Sequence, residues 1–386
     1  MRFIHIADLH LGKKIKTVRG DIELDFCTPL KDIVYIIKDF QPAFLFISGD
    51  IFHYKNPSQD SEELFIEFLI NAYENVDYTF VISGNHDNSK KLSNIGLFNE
   101  YINRFSNRKI FIYTDMQLRR DIESDNLTPL SFGDVDIFMI PFIEYRSALS
   151  TSYNLNIPKE YAYSYIHNII ISKYLEKSKS KIKFLLSHIY VEDSVIAGSE
   201  SKNFINTIYY VKQDDIDNRI TYGALGHIHK FQKIGSRNLF YSGSIIPLDF
   251  SENFDHGIIL GEVVNGFPNI SFQKLSYKEF VVIYENKNIN IFEEVQKNAD
   301  KYVKIVYENL DSETIEKLIK FDNVIKIQKI SSEIYHSSKK IEYDTIDYFD
   351  VLQMYEKYYE IEKSSTVEKK VLDKLDEILR SESDTS

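Results

Sequence analysis

The chain has 386 residues with 43% hydrophobic and 27% charged side chains, too long for one compact domain and too apolar to be disordered overall. Its single cysteine, Cys27, excludes a disulfide framework or a thiolate metal cluster within the chain, and no apolar run approaches the roughly 20 residues of a membrane span. The net charge of −12 argues against a generally basic nucleic-acid surface, but residues 341–386 hold 13 acidic and 6 basic side chains, so more than half of the excess lies in that tail.

With 27 Phe, 27 Tyr and no Trp, the core is expected to rest on Phe, Tyr, Ile and Leu. The chain opens on a strand-like run rather than a basic-then-apolar leader, so a soluble cytoplasmic protein is expected. Arg2–Ala7 reads as a strand, Glu23–Phe40 as a helix, Ala43–Ile47 as a buried strand, Ser61–Tyr73 as a helix and Tyr78–Ile82 as a strand. Further strands are expected at Lys109–Tyr113, Val135–Met139 and Ile182–Leu186, with a helix at Tyr161–Lys177. Thr221–Leu225, Leu239–Tyr241 and Gly257–Val264 continue the strand series. This alternation predicts an α/β layered domain. After Tyr277 the pattern changes. Phe280–Tyr284, a helix from Ile291, Tyr302–Tyr307, a helix from Ser312 and Val324–Lys329 predict a small α+β unit. A polar stretch and two amphipathic helices, Thr345–Ile361 and Thr366–Leu379, follow. The domain boundaries are drawn at 1–276, 277–332, a linker at 333–344, and a tail at 345–386.

Five short motifs stand just after predicted strands: Asp8-Leu9-His10, Gly49-Asp50, Gly84-Asn85-His86-Asp87, Ser187-His188 and Gly226-His227-Ile228-His229. In α/β sheets, ligands bind beyond the carboxyl ends of strands. Asp8 and His10 lie two apart on extended chain and point to one side, as do His227 and His229. The donors are carboxylate, imidazole and carboxamide, which favours Mn, Fe, Zn or Mg over a structural zinc site. Seven such side chains are too many for one ion and suit two ions with a shared carboxylate, the standard device for attack on phosphorus. Taken singly, Gly49-Asp50 is a turn signal and His188 a core histidine. Asn-His-Asp after a strand is harder to explain by turn chemistry, and five ordered motifs reinforce one another.

With these residues the sequence resembles the calcineurin-like metallophosphoesterases, and within them the SbcD family, nuclease subunits of SbcCD complexes that act in DNA repair, recombination and replication. The narrower likeness rests on Met1–Gly12 (MRFIHIADLHLG), Gly49–Pro57 (GDIFHYKNP), Tyr222–Gln232 (YGALGHIHKFQ) and Tyr241–Glu252 (YSGSIIPLDFSE). It implies a four-layer α/β/β/α sandwich with a small capping domain and a C-terminal helical pair. It also implies two divalent metal ions, most often Mn2+, with Mg2+, Fe2+ or Zn2+ possible. Asp8, His10, Asp50 and His229 would hold one ion, and Asp50, Asn85, His188 and His227 the other, with Asp50 bridging and water activated between the ions. His86 would stand over the scissile phosphate and protonate the leaving oxygen, and His53 would help place the phosphate, unless it is a surface histidine. Asp87 would orient His86 or cap a turn.

The same resemblance implies 3′-5′ double-strand exonuclease and single-strand or hairpin endonuclease activity in a homodimer with a coiled-coil SbcC-type ATPase. Lys13, Lys14, Lys16, Arg19, Lys90, Lys91 and Lys230, with Lys233, are the candidate DNA contacts at the rim. Tyr348, Phe349, Leu352, Tyr355, Tyr359, Leu372 and Leu375 form the expected apolar faces for the ATPase partner. The loop after Asp87 and the stretch after His188 depart from the family pattern, which bears on substrate specificity. The rival readings are a small-molecule or phosphoprotein phosphoesterase of the same superfamily and a non-catalytic docking subunit.

Overall fold

The computed structural model describes residues 1–144, 161–196, 210–286 and 289–330, and those up to Lys329 belong to one compact unit from Met1 to Lys329. The tail residues expected to meet a partner, and the linker before them, lie outside the described residues.

In chain order the elements begin β1 (Arg2–Ile6), β2 (Lys14–Thr17), β3 (Gly20–Glu23), α1 (Cys27–Phe40), β4 (Phe44–Ser48), α2 (Gln59–Tyr73), β5 (Tyr78–Ile82), α3 (Ser89–Ile102), β6 (Lys109–Tyr113), α4 (Asp115–Glu123), β7 (Leu130–Phe132), β8 (Val135–Ile140) and α5 (Ala162–Lys177). They continue β9 (Ile182–His188), β10 (Tyr190–Val191), β11 (Tyr210–Val211), β12 (Tyr222–Gly226), β13 (Gln232–Ile234), β14 (Leu239–Tyr241), β15 (Gly257–Val264) and β16 (Phe267–Lys274). The chain then runs through β17 (Phe280–Tyr284), α6 (Ile291–Lys297), β18 (Tyr302–Tyr307), α7 (Ser312–Ile319) and β19 (Val324–Lys329).

Two six-stranded sheets face each other, ordered β16-β15-β1-β4-β5-β6 and β13-β14-β12-β9-β8-β7. Strands β1, β4, β5 and β6 run parallel, and so do β8, β9, β12 and β14. Central strands buried on both faces read as unbroken apolar runs, which makes them legible as strands. Side-chain alternation then sorts the two faces. Phe3, Phe46, Phe184 and Tyr222 fill the space between the sheets, with Phe3 to Tyr222 ring centroids 4.6 Å apart and Phe46 to Phe184 5.0 Å apart. The alternate residues Ile4, Ile6, Leu45 and Ile47 pack outward on α1 and α2. Leu185 and Leu225 pack outward in the layer that contains Ile170, Ile171 and Tyr174 of α5. The result is the expected α/β/β/α sandwich.

The helices start where their caps allow. Ser58 accepts from Ser61 N–H to open α2, Asn88 accepts from Lys90 and Lys91 N–H to open α3, and Thr114 and Gln117 form a capping box on α4. One expected element is corrected. The helix predicted from Glu23 begins at Cys27, because Lys14–Glu23 forms the β2–β3 hairpin, whose exposed, polar strands carry little apolar signal.

Strands β17, β18 and β19 pair in parallel and alternate with α6 and α7 around Val295, Val303, Ile305 and Leu318. The hairpin ties this small sheet to the sandwich. Val18 N–H donates to Ile325 O at 3.0 Å, and the Arg19 guanidinium donates to Ile319 O, Phe321 O and Asp322 O at 2.6–2.8 Å. Arg19 thus satisfies the open carbonyls at the end of α7. The structure gives Arg19 this tying role, with three of its hydrogen bonds made to backbone, beside its expected one as a DNA contact.

Candidate metal centre

Each candidate ligand leaves the carboxyl end of a parallel strand. Asp8 and His10 follow β1, Asp50 follows β4, Asn85 and His86 follow β5, His188 closes β9, and His227 and His229 follow β12. Past the strand ends, backbone bonds zip the first two loops together. Asp8 N–H donates to Gly49 O at 3.0 Å, His10 N–H to Asp50 O at 2.9 Å, and His53 N–H to Leu11 O at 3.0 Å. The two sheets are joined at the same place by Ser48 Oγ donating to Ala224 O at 2.9 Å.

The backbone is strained where the ligands turn. Asp8 (φ 53°), His10 (47°), Asp50 (50°) and His227 (102°) are four of the eight non-glycine residues with positive φ among the described residues. Such conformations are unfavourable and cluster where the surrounding structure enforces them. Two glycines are required by close approach. A Cβ at Gly84 would fall on the Asp50 carboxylate, and one at Gly226 on the Ser48 carbonyl.

The side chains converge in two groups around Asp50. On one side, His10 Nε2 lies 3.1 Å from His229 Nε2 and 3.6 Å from Asp50 Oδ2, and Asp8, His10 and His229 bring one donor atom each within 4.8 Å of one another. On the other, His188 Nε2 lies 3.5 Å from Asp50 Oδ1 and 3.0 Å from Asn85 Oδ1, which is also 3.1 Å from His227 Nδ1. The two oxygens of Asp50 therefore face different imidazoles. Asp8 accepts His227 N–H at 2.9 Å, and Asp50 Oδ1 accepts His86 N–H at 2.8 Å. His188 Nδ1 donates to Ser48 O at 2.8 Å, so Nε2 is the ring nitrogen turned toward Asp50 and Asn85.

Electrostatics point the same way. Burial pushes Asp8 up to about 6 against the pull of His188 and His229. Burial disfavours charge on His188, but Asp50 and Asp8 outweigh it and raise His188 to about 9. His227, buried next to His188, falls to about 3. The cradle thus holds buried carboxylates that call for positive charge, and imidazole nitrogens too close to coexist as bare acceptors. An all-nitrogen-and-oxygen donor set of this kind fits divalent cations.

Around the opening, His53 and His86 are half-buried, with ring planes 24° apart and centroids 5.2 Å apart. His86 Nδ1 donates to His53 O at 2.8 Å, and the His53 ring reaches His10 Nδ1 at 3.4 Å. Lys13, half-buried, places Nζ 3.2 Å from His53 Nε2, nearer the cradle than a rim cation, and burial lowers its pKa. Asp87 is a correction. Its carboxylate accepts Gly84, Phe52 and Ile51 N–H at 2.8, 3.0 and 3.2 Å, so it caps two ligand loops, and the His53 carbonyl orients His86 instead. Lys91 pairs with Glu62 at 2.8 Å, Lys230 lies 6.0 Å over the Phe254 ring, and Lys14, Lys16 and Lys90 are exposed.

Sequence reasoning alone does not single out Glu252 and His256. Glu252 Oε1 meets His229 Nδ1 at 2.8 Å, and His256 Nε2 lies 3.7 Å from Glu252 Oε2. The available signal is an acidic residue just after a largely apolar run from Ile245 to Phe250.

The family profile of calcineurin-like phosphoesterases matches residues 1–231. The chain is 27% identical over 270 residues to a Staphylococcus saprophyticus protein named as the D subunit of nuclease SbcCD. That match covers 65% of this chain and 62%, under two thirds, of that protein. It is 25% identical over 379 residues to the Staphylococcus epidermidis protein of the same name, covering 93% of this chain and 92% of that one. Among the described residues, no helix is long and apolar enough to cross a membrane.

Proposed function

The chain belongs to the calcineurin-like phosphoesterase family, and on that premise we propose that it is the nuclease subunit of an SbcCD-type complex, hydrolysing DNA phosphodiesters in repair and recombination. The observation that carries this reading is the Asp50 carboxylate, whose two oxygens serve two groups of buried donors beneath a mouth of basic side chains. Asp8, His10, Asp50 and His229 are proposed to hold one divalent cation and Asp50, Asn85, His188 and His227 the other, Mn2+ being the expected ion. When bound, such a pair supplies charge neutralisation at the phosphate and a water acidified enough to act as nucleophile.

The protein's own part is positioning and proton transfer. The His53 carbonyl fixes the His86 ring at Nδ1, so Nε2 is the nitrogen that meets the phosphate. As an imidazolium, His86 stabilises the charge that builds on phosphorus and donates its Nε2 proton to the leaving oxygen. Lys13 Nζ and the His53 ring, which burial drives down to about 3 and keeps neutral, lie beside it. Exposed Lys14, Lys16 and Lys90 would meet flanking phosphates. Exonuclease action on duplex ends, endonuclease action on single strands and hairpins, and docking of an SbcC-type ATPase by residues 345–386 belong to the same proposal; the two relatives' names support its coarser part, a nuclease subunit of an SbcCD complex. A homodimer is supported by exposed apolar residues on neighbouring helices, Ile66 and Ile70 of α2 and Leu97 and Tyr101 of α3.

The test offers linear duplex DNA and a nitrophenyl phosphate monoester to the full chain with Mn2+. Degradation of the DNA with little monoester turnover is expected. Robust monoester turnover with intact DNA would transfer the site to a small-molecule phosphoesterase.

A further inference from the structure

A carboxylate stands directly behind one half of the cradle. The Glu252 side chain is fully buried. Its Oε1 accepts from His229 Nδ1 at 2.8 Å, and its Oε2 accepts Leu248 N–H at 2.9 Å. The same Oε2 lies 3.7 Å from His256 Nε2, and the His256 ring is held at Nδ1 by Ser244 Oγ at 2.9 Å. The Leu248 N–H therefore holds the carboxylate from its far side, with its other oxygen on His229.

A neutral imidazole carries one ring proton, and the partner of one nitrogen decides which nitrogen keeps it. A carboxylate acceptor at Nδ1 sets the Nδ1–H form and keeps that proton off Nε2. That Nε2 is the atom that faces His10 Nε2 at 3.1 Å and clusters with Asp8. Without the carboxylate the two tautomers would compete, and in one of them a proton would occupy the direction a cation needs. The other half of the cradle is arranged differently, since His188 Nδ1 donates to a neutral backbone carbonyl, Ser48 O. A buried carboxylate 2.8 Å from the ring also makes His229 the more strongly electron-donating imidazole.

From this geometry we infer that Glu252 is a positioning residue, which holds His229 as its Nδ1–H tautomer and so sets cation affinity at the Asp8–His10–His229 position alone. The inference rests on the two-cation reading above.

The experiment titrates Mn2+ into the cation-free full-length protein by calorimetry, for wild type, Glu252→Ala and Glu252→Gln. It also records the ring-nitrogen resonances of 15N-labelled histidines, with His229 assigned by a His229→Gln variant. Wild type is expected to bind two ions and to show His229 protonated at Nδ1. Glu252→Ala should weaken one of the two binding events by about 10–100-fold, leave the other unchanged, and move the His229 proton into exchange between both nitrogens. Glu252→Gln keeps an acceptor and the shape, and should lie between the two. If thermal unfolding shows that Glu252→Ala does not fold, the Glu252→Gln titration decides. A selective loss at one position supports the inference, whereas equal weakening of both positions, or none, overturns it. A wild-type chain that binds no Mn2+ overturns the two-cation reading together with the inference, and the wild-type arm alone reports that outcome.

Discussion

Asp8, His10, Asp50, His188 and His229 are at most 7% exposed, whereas His53, His86 and Lys13 are half-buried and open to solvent. The floor of the site is cross-linked by backbone bonds between loops, strained φ angles and glycines that admit close approach. The mouth is held by the His86 amide to Asp50, its ring to His53 O, Lys13 to His53, and His53 to Leu11 O and the His10 ring. The contrast separates two tasks. The floor must keep like-charged donors together when no cation is bound, so it is rigid and enforced from all sides. The mouth must admit a phosphate and pass a proton, so its groups stay accessible.

The strongest challenge to this division is Asp50→Asn. Removing the carboxylate whose oxygens face both groups should cost both cation positions at once. Mn2+-dependent cleavage should fall on the order of 10^3-fold or more, the several kcal/mol that metal-ion assistance contributes. Metal content measured on the same preparation checks it. Loss of a single ion would mean that Asp50 does not serve both halves.

A second prediction contrasts imidazoles buried beside carboxylates with those buried without them. His188 is raised to about 9 by Asp50 and Asp8 in spite of burial, while burial drives His5 down to about 3 and His167 to about 4. The His5 ring meets the Tyr222 hydroxyl at 2.9 Å, and the His167 ring the Tyr163 carbonyl at 2.8 Å. For His5 and His167 the folded-state pKa lies below the ordinary 6.5. Their stability contribution is complete above pH 6.5 and is lost as pH falls toward the folded value. At pH 5 each should cost about 2 kcal/mol, visible as a lower urea midpoint for the cation-free protein than at pH 7. An unchanged midpoint would mean that these histidines are not held neutral.

The smallest effect is expected at the rim. Replacing Lys14 and Lys16 by Gln should leave cation binding intact and flatten the salt dependence of DNA binding by about one unit of log–log slope for each phosphate no longer neutralised. An unchanged slope would remove the β2–β3 hairpin from the DNA surface.

Much of this is readable from residue order, for reasons specific to each part. The strands of both sheets stand out because central strands are apolar on both faces, and the ligands because each follows such a strand. The second strand of the β15–β16 hairpin does not, although Asn265-Gly266, with φ 52° and 84°, carries the turn signal. Strand β16 is mostly exposed and polar, so an apolar-run criterion misses it. The backbone partners of Asp87 and Arg19 are not legible in the sequence because they lie far along the chain, Phe52 N–H for one and Ile319 O for the other. Glu252 is invisible as a site residue because its meaning depends on a contact 23 residues back along the chain, at His229.

The central claim is that the floor binds the cations and the mouth performs the proton transfer. It is tested most directly by His86→Ala, with bound Mn2+ and duplex DNA degradation measured on one preparation. The account predicts two ions retained at wild-type affinity and cleavage lowered by about 10^2–10^4-fold. Undiminished cleavage, or loss of the ions together with cleavage, would contradict it.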